Sequence, residues 1–155
     1  MVSPELLRRY PFFGFLNTDE LKAVAMLAEE VDFQTGDVIL EVGKPAGALY
    51  FLIDGRAELY YVAAGQYNLV EQKAFYISDV NPGEIFGISA LIEPYVYTGT
   101  IHAAGPCRVL KIDASALRAV CEVDIRMARD LMRQTAKAAM ERLEDTRVQL
   151  AAARA

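Results

Sequence analysis

The sequence has one histidine, two cysteines and no hydrophobic run approaching the ~18 residues needed to span a bilayer. A single His102 excludes a metal centre of the cupin kind, which needs several His and carboxylate ligands on one ion. Cys107 and Cys121 stand in no CxxC spacing, as expected of reduced thiols in a cytoplasmic protein rather than of a disulfide framework. Arg8 and Arg9 are followed by no apolar stretch of the kind that leads a secreted chain. Basic charge is scarce too: 16 Lys and Arg stand against 21 Asp and Glu, for a net of -5. That balance argues against nucleic-acid binding through a general basic field, because phosphate affinity comes mainly from Lys and Arg displacing counterions. Glycine and proline are absent after Pro106, so nothing in the last third of the chain stops a helix.

What is present suffices for one core. The chain has 155 residues, 54% of them hydrophobic and 24% charged, which fits a single globular domain and excludes an enzyme with separate cofactor and substrate lobes. Charge divides it unevenly. Met1 to Val123 carries nine basic and sixteen acidic residues, a net of -7, whereas Asp124 to Ala155 carries seven and five, a net of +2.

The periodicity places the elements. Ser3 before Pro4 and Glu5 has the form of a helix start, and a short helix to about Arg9 follows. A second start stands at Asn17, with Glu20 as its capping-box partner and Leu16 placed to staple against Leu21. From there Leu21, Val24, Ala25, Leu27, Ala28 and Val31 recur at helical spacing. Between Val31 and Ile112 short runs rich in Val, Ile, Tyr, Phe and Leu alternate with Gly36-Asp37, Gly43, Gly55, Asn81-Pro82-Gly83, Gly87 and Gly99. Breakers at such intervals predict an antiparallel sandwich or barrel. Helical spacing then returns, with a short helix over Ala114 to Val120 and a long one from about Val123 toward Leu150.

On the long helix Met132, Ala136, Ala139, Leu143, Thr146 and Leu150 follow each other at alternating steps of four and three. This 3.5-residue seam suits pairing with a second copy, and it suits equally a helix folded back on its own barrel. Arg129 breaks the seam on its N-terminal side, so close contact is expected to begin near Met132.

The order and spacing of several segments carry a resemblance. They are Tyr10-Pro11-Phe12-Phe13 with Leu16, then Gly36-Asp37-Val38-Ile39, Gly43, Leu49 to Gly55, Pro82-Gly83-Glu84-Ile85-Phe86-Gly87 and Cys107 to Ile112. Together they resemble the cyclic nucleotide-binding domain family, the sensor module of catabolite activator and FNR-type regulators, over about Tyr10 to Leu143. The resemblance implies a mainly β fold with flanking helices: N-terminal helices, an eight-stranded jelly-roll (double-stranded β-helix) barrel and a long C-terminal helix. It divides the chain into a sensor barrel over 1–122 and a helical lever over 123–155. The stretch between Gly55 and Gly83 is longer than the pattern, which points to an extended hairpin around Gly65 to Asn68.

In the family, the segment after Phe-Gly grips the cyclic phosphate. The resemblance therefore places a ligand pocket at Phe86, Gly87, Ile88, Ser89 and Ala90, facing Tyr97, Thr98 and Gly99, with Leu91 and Ile92 continuing the turn against the barrel. Two departures stand out. Ile88 occupies the place of the family glutamate that bonds the ribose, and Tyr97 that of the arginine that pairs with the cyclic phosphate; no basic residue lies between Lys73 and Arg108. A charged hydrogen bond is worth about 1.5 to 3 kcal/mol, so losing two weakens binding by roughly two to four orders of magnitude. The cassette is degenerate, and cyclic AMP and cyclic GMP are expected to bind weakly or not at all. The Tyr97 hydroxyl offers a polar handle for another ligand, and Tyr95 is placed to help close the cavity.

No catalytic constellation emerges. Strand alternation turns His102 outward, Cys107 and Cys121 sit in apolar patterns, and Glu29-Glu30 and Glu144-Asp145 read as solvated helix faces. The expectation is a non-enzymatic cytoplasmic regulatory or sensor domain without cofactor or metal. It would dimerise through the C-terminal helix, take a small molecule or pass a signal to an effector protein, and touch neither nucleic acid nor membrane. The helix-turn-helix that follows the long helix in related transcription factors is not expected here, since the sequence ends at Ala155. The other reading is a ligand-free interaction or scaffold module whose pocket is filled by its own side chains.

Overall fold

A computed structural model describes residues 1–63 and 73–155, so the hairpin expected around Gly65 to Asn68 lies outside the described residues. Helix α1 (Pro4–Arg8) starts as Ser3 and Pro4 predict, with the Ser3 hydroxyl accepting from the Leu6 N–H. A 3-10 turn (Pro11–Phe15) leads to α2 (Thr18–Leu27). Its capping box is complete: the Glu20 N–H donates to Asn17 Oδ1 and the Asn17 N–H donates to Glu20 Oε1, each at 2.8 Å.

The apolar stripe of α2 does not continue to Val31 as its spacing suggests. The helix ends at Leu27 and Ala28–Phe33 is strand β1, whose residues pair from Ala28↔Ile112 to Phe33↔Cys107 with the last strand. A ladder of long-range hydrogen bonds outweighs one more helical turn, whose propensity is a weak prior.

Seven further strands follow: β2 (Val38–Leu40), β3 (Ala48–Asp54), β4 (Ala57–Ala63), β5 (Lys73–Val80), β6 (Ile85–Phe86), β7 (Thr100–Ala103) and β8 (Cys107–Asp113). They form two antiparallel four-stranded sheets, ordered β1-β8-β3-β6 and β2-β7-β4-β5. Among the described residues the expected barrel is not closed by hydrogen bonding: β1 and β6 are the edges of one sheet, β2 and β5 those of the other, and no ladder joins the two. Leu52 and Val109 of the first sheet and Ala57, Val80 and Ile101 of the second nevertheless belong to one buried core.

Strand β3 explains the aromatic N-terminus. It is buried along most of its length, so both of its faces need apolar cover. Tyr10, Phe12 and Phe13 supply it on one side, with ring centroids 5.1, 5.7 and 5.0 Å from that of Phe51. On the other side Tyr50 stacks on Phe86 at 5.1 Å.

After β8, Asp113 caps α3 (Ala114–Val123) by accepting from the Ala116 N–H, and Asp124 caps α4 (Ile125–Ala153) by accepting from the Met127 N–H. The start of α4 is built into the core through Met127 and Leu131. Among the described residues no helix is long and apolar enough to cross a membrane.

Candidate ligand-binding site

The site begins where β6 ends. Gly87 has φ +72°, and a Cβ there would stand 3.1 Å from Leu40 Cδ2, so both the backbone sign and the space favour glycine. Glycine at 87 turns the chain into a 3-10 turn (Ile88–Leu91). Across from it, a Cβ on Gly99 would meet Leu59 Cδ1 at 3.0 Å and the Tyr60 carbonyl at 3.1 Å, so the chain passes close over β4 only as glycine.

Between these two approaches lies a cavity of about 230 Å³. Phe86, Gly87, Ile88, Ser89, Tyr97, Thr98 and Gly99 all line it, as the resemblance implies, together with Leu40, Leu59, Ile85 and Ile101 of the two sheets. Ala90 does not; it is fully buried behind the turn, and its carbonyl accepts a 2.6 Å hydrogen bond from the Arg118 guanidinium. Leu91 packs inward, but Ile92 stands half exposed where the turn ends, instead of lying against the sheets as expected.

Two tyrosines behave differently from the reading of the sequence. The Tyr97 hydroxyl donates to the Ala48 carbonyl at 2.7 Å and receives the Ala48 N–H at 3.3 Å. It is spent on the backbone of β3 and is not a handle for a ligand. Burial pushes its pKa up, against the opposing effect of the Ala48 hydrogen bond. Tyr95 lies under Arg118, whose guanidinium carbon is 4.0 Å from the ring centroid, and does not line the cavity. Arg118 of α3 therefore holds the 88–95 segment at two points.

Spacing also concealed a wall of the cavity. Ala138, Ala139 and Arg142 of α4 complete it, and Arg142 is its one charged lining residue among those described. This arginine stands more than forty positions past Gly99, well outside the stretch between Lys73 and Arg108 that carries no cation. A signal existed: Leu131, Thr135, Ala138 and Arg142 form the inner stripe of α4, and an arginine on an inner stripe asks for a partner.

His102 lies between two buried neighbours, Ile101 and Ala103, and its ring stacks on Tyr60 at 4.6 Å. Burial raises the pKa of both thiols, helped by Asp54, Asp32 and Asp37 at Cys107 and by Asp124 at Cys121, which is the opposite of an activated nucleophile. On α4, Met132 is partly buried, while Ala136, Ala139, Leu143, Thr146 and Leu150 are exposed.

The family model of the cyclic nucleotide-binding domain matches residues 30–124, more than half of the chain. The chain belongs to the cyclic nucleotide-binding domain family. Among solved structures it is similar to a candidate cyclic nucleotide-binding protein from Geobacter metallireducens GS-15, with 38% identity over 92% of this chain and 99% of that one and a TM-score of 0.78. The sensor domain of the transcriptional regulator DNR from Pseudomonas aeruginosa shares the fold, with 19% identity over 90% of each chain and a TM-score of 0.70. A candidate potassium channel protein of Rhodopseudomonas palustris is 26% identical over 84% of this chain and 30% of its own length. The chain spans about a third of the length of the curated relatives it matches.

Proposed function

We propose that this chain is a non-enzymatic sensor domain whose pocket has exchanged the cyclic nucleotide for a different, more apolar small molecule. The observation that carries this reading is the 230 Å³ cavity at the place the family uses, with Ile88 in its wall and the Tyr97 hydroxyl already bound to Ala48. In this reading the two sheets are the walls of a jelly-roll barrel, 1–122 senses, and 123–155 transmits. Ligand acts by preferring one arrangement of the 88–91 turn and α4 over another, which requires only a difference in affinity between the two. Ala138 and Ala139 line the cavity, so the lever itself touches the ligand.

The exposed stripe from Ala136 to Leu150 supports the second half of the proposal, a homodimer through α4 that hands the movement to an effector protein. Small Ala and Thr residues permit close helix approach but bury little area each, so the pairing is modest and suited to adjustment. An open cavity counts against the alternative of a ligand-free scaffold with a self-filled pocket.

Calorimetry with cyclic AMP and cyclic GMP tests the specificity claim. The expected result is no heat at micromolar nucleotide, consistent with about two to four orders of magnitude lost with the two anchors. A dissociation constant in the low micromolar range for either nucleotide would refute it.

A further inference from the structure

Arg142 is unusual for a surface-helix arginine. Its side chain is only 18% exposed, and among the described residues its one ionic partner is the Asp145 carboxylate at 3.7 Å, a charge contact longer than a hydrogen bond. Among the described residues its guanidinium makes no hydrogen bond, although it carries five N–H donors in a fixed fork. It lines the 230 Å³ cavity, whose other lining residues are uncharged, among them Leu40, Leu59, Ile88 and Ile101 with the hydroxyl residues Ser89 and Thr98. A sheltered cation with unused donors beside an apolar chamber is half of a recognition site.

We infer that Arg142 makes this cavity a site for an apolar monocarboxylate, its acid head on the guanidinium and its hydrocarbon body between the sheets. The proposal rests on the altered-ligand reading above and supplies its chemical class. A planar carboxylate matches the guanidinium fork with two parallel hydrogen bonds. The net of -7 over Met1 to Val123 disfavours a second negative charge, so a monoanion suits the site better than a dianion. Asp145 is the internal competitor that an incoming carboxylate displaces. Arg142 sits on the inner stripe of α4, so head-group capture pulls on the helix that the altered-ligand reading takes as the lever.

The test is a titration of the whole chain with octanoate and with its neutral counterpart octanamide, in the wild type, Arg142→Gln and Asp145→Asn, with cyclic AMP as a third ligand. The expected result is that octanoate binds more tightly than octanamide, that Arg142→Gln weakens octanoate by about 10- to 100-fold while leaving octanamide unchanged, and that Asp145→Asn strengthens octanoate several-fold. Should Arg142→Gln fail to fold, the acid-to-amide ratio in the wild type and its rise in Asp145→Asn still decide the matter. Equal binding of acid and amide, or octanoate affinity indifferent to both substitutions, overturns the role of Arg142 and leaves the altered-ligand reading standing. Tight cyclic AMP binding with no response to octanoate overturns both.

Discussion

Tyr50 shows how burial at one residue becomes a property of the whole chain. Its ring is stacked on Phe86, and burial first, then Tyr97 and Glu29, pushes its pKa from 10.0 up to about 12. The folded state therefore keeps the phenol proton that the unfolded chain releases above pH 10. Stability from this group is fully present below pH 10 and is lost as pH rises toward 12, by about 2 to 3 kcal/mol in all. Tyr50→Phe has nothing to ionise there, so urea melts at pH 9, 10.5 and 11.5 are expected to fall less steeply than in the wild type. Parallel slopes would show that Tyr50 is not the group responsible. At the same scale the pocket positions were legible from the order Phe86-Gly87 and from Tyr97-Thr98-Gly99. The partner of the Tyr97 hydroxyl was not, because Ala48 lies 49 positions away.

At the scale of elements, the capping residues were the most legible features. Asn17 with Glu20 and Ser3 with Leu6 act through groups three residues away, so a local reading suffices. The end of α2 was not legible: Ala28 and Val31 satisfy a helical stripe, and only pairing with β8 makes them strand. Helix α4 carries two faces. Met127, Leu131 and Thr135 turn inward, whereas Leu143 and Leu150, each about half exposed, lie on the outer seam. If that seam pairs two copies, Leu143→Asp places two carboxylates in a small apolar interface. Light scattering is then expected to show a dimer for the wild type and a monomer for Leu143→Asp, with unchanged helix content by circular dichroism. A wild-type monomer at high concentration removes the dimer.

For the molecule as a whole, one ion pair ties its ends together. Glu20, 5% exposed in α2, accepts a 2.9 Å hydrogen bond from Arg126 in the first turn of α4, beside the Asp124 cap. Hydrogen bonding from the Met127 N–H, with the charge of Arg126, holds Asp124 below the usual carboxylate range. The base of α4 is thereby anchored to the N-terminal helices, while its outer half is left to the cavity and the seam. Arg126→Gln keeps the helix but leaves Glu20 with the Asn17 N–H as its remaining partner. The expected cost is about 1 to 2 kcal/mol in urea unfolding, restrained by the exposure of Arg126. No change in midpoint would mean that the pair is a surface ornament.

The sequence by itself determined the plan: helix, β-rich middle and long helix in that order, the caps, the acidic body against a basic tail, and a Phe86-Gly87 turn with no basic residue between Lys73 and Arg108. Those features arise from neighbours along the chain, through hydrogen bonds of short span and through periods of two and of about three and a half residues. Only the tertiary structure decided that the described strands form two sheets with no ladder between them, that the Tyr97 hydroxyl is bound to β3, and that Arg142 and Ile88 line one cavity. The reason is physical. A buried hydroxyl or a sheltered guanidinium is satisfied by whatever group the fold brings to it, and that group is chosen by packing rather than by distance along the chain.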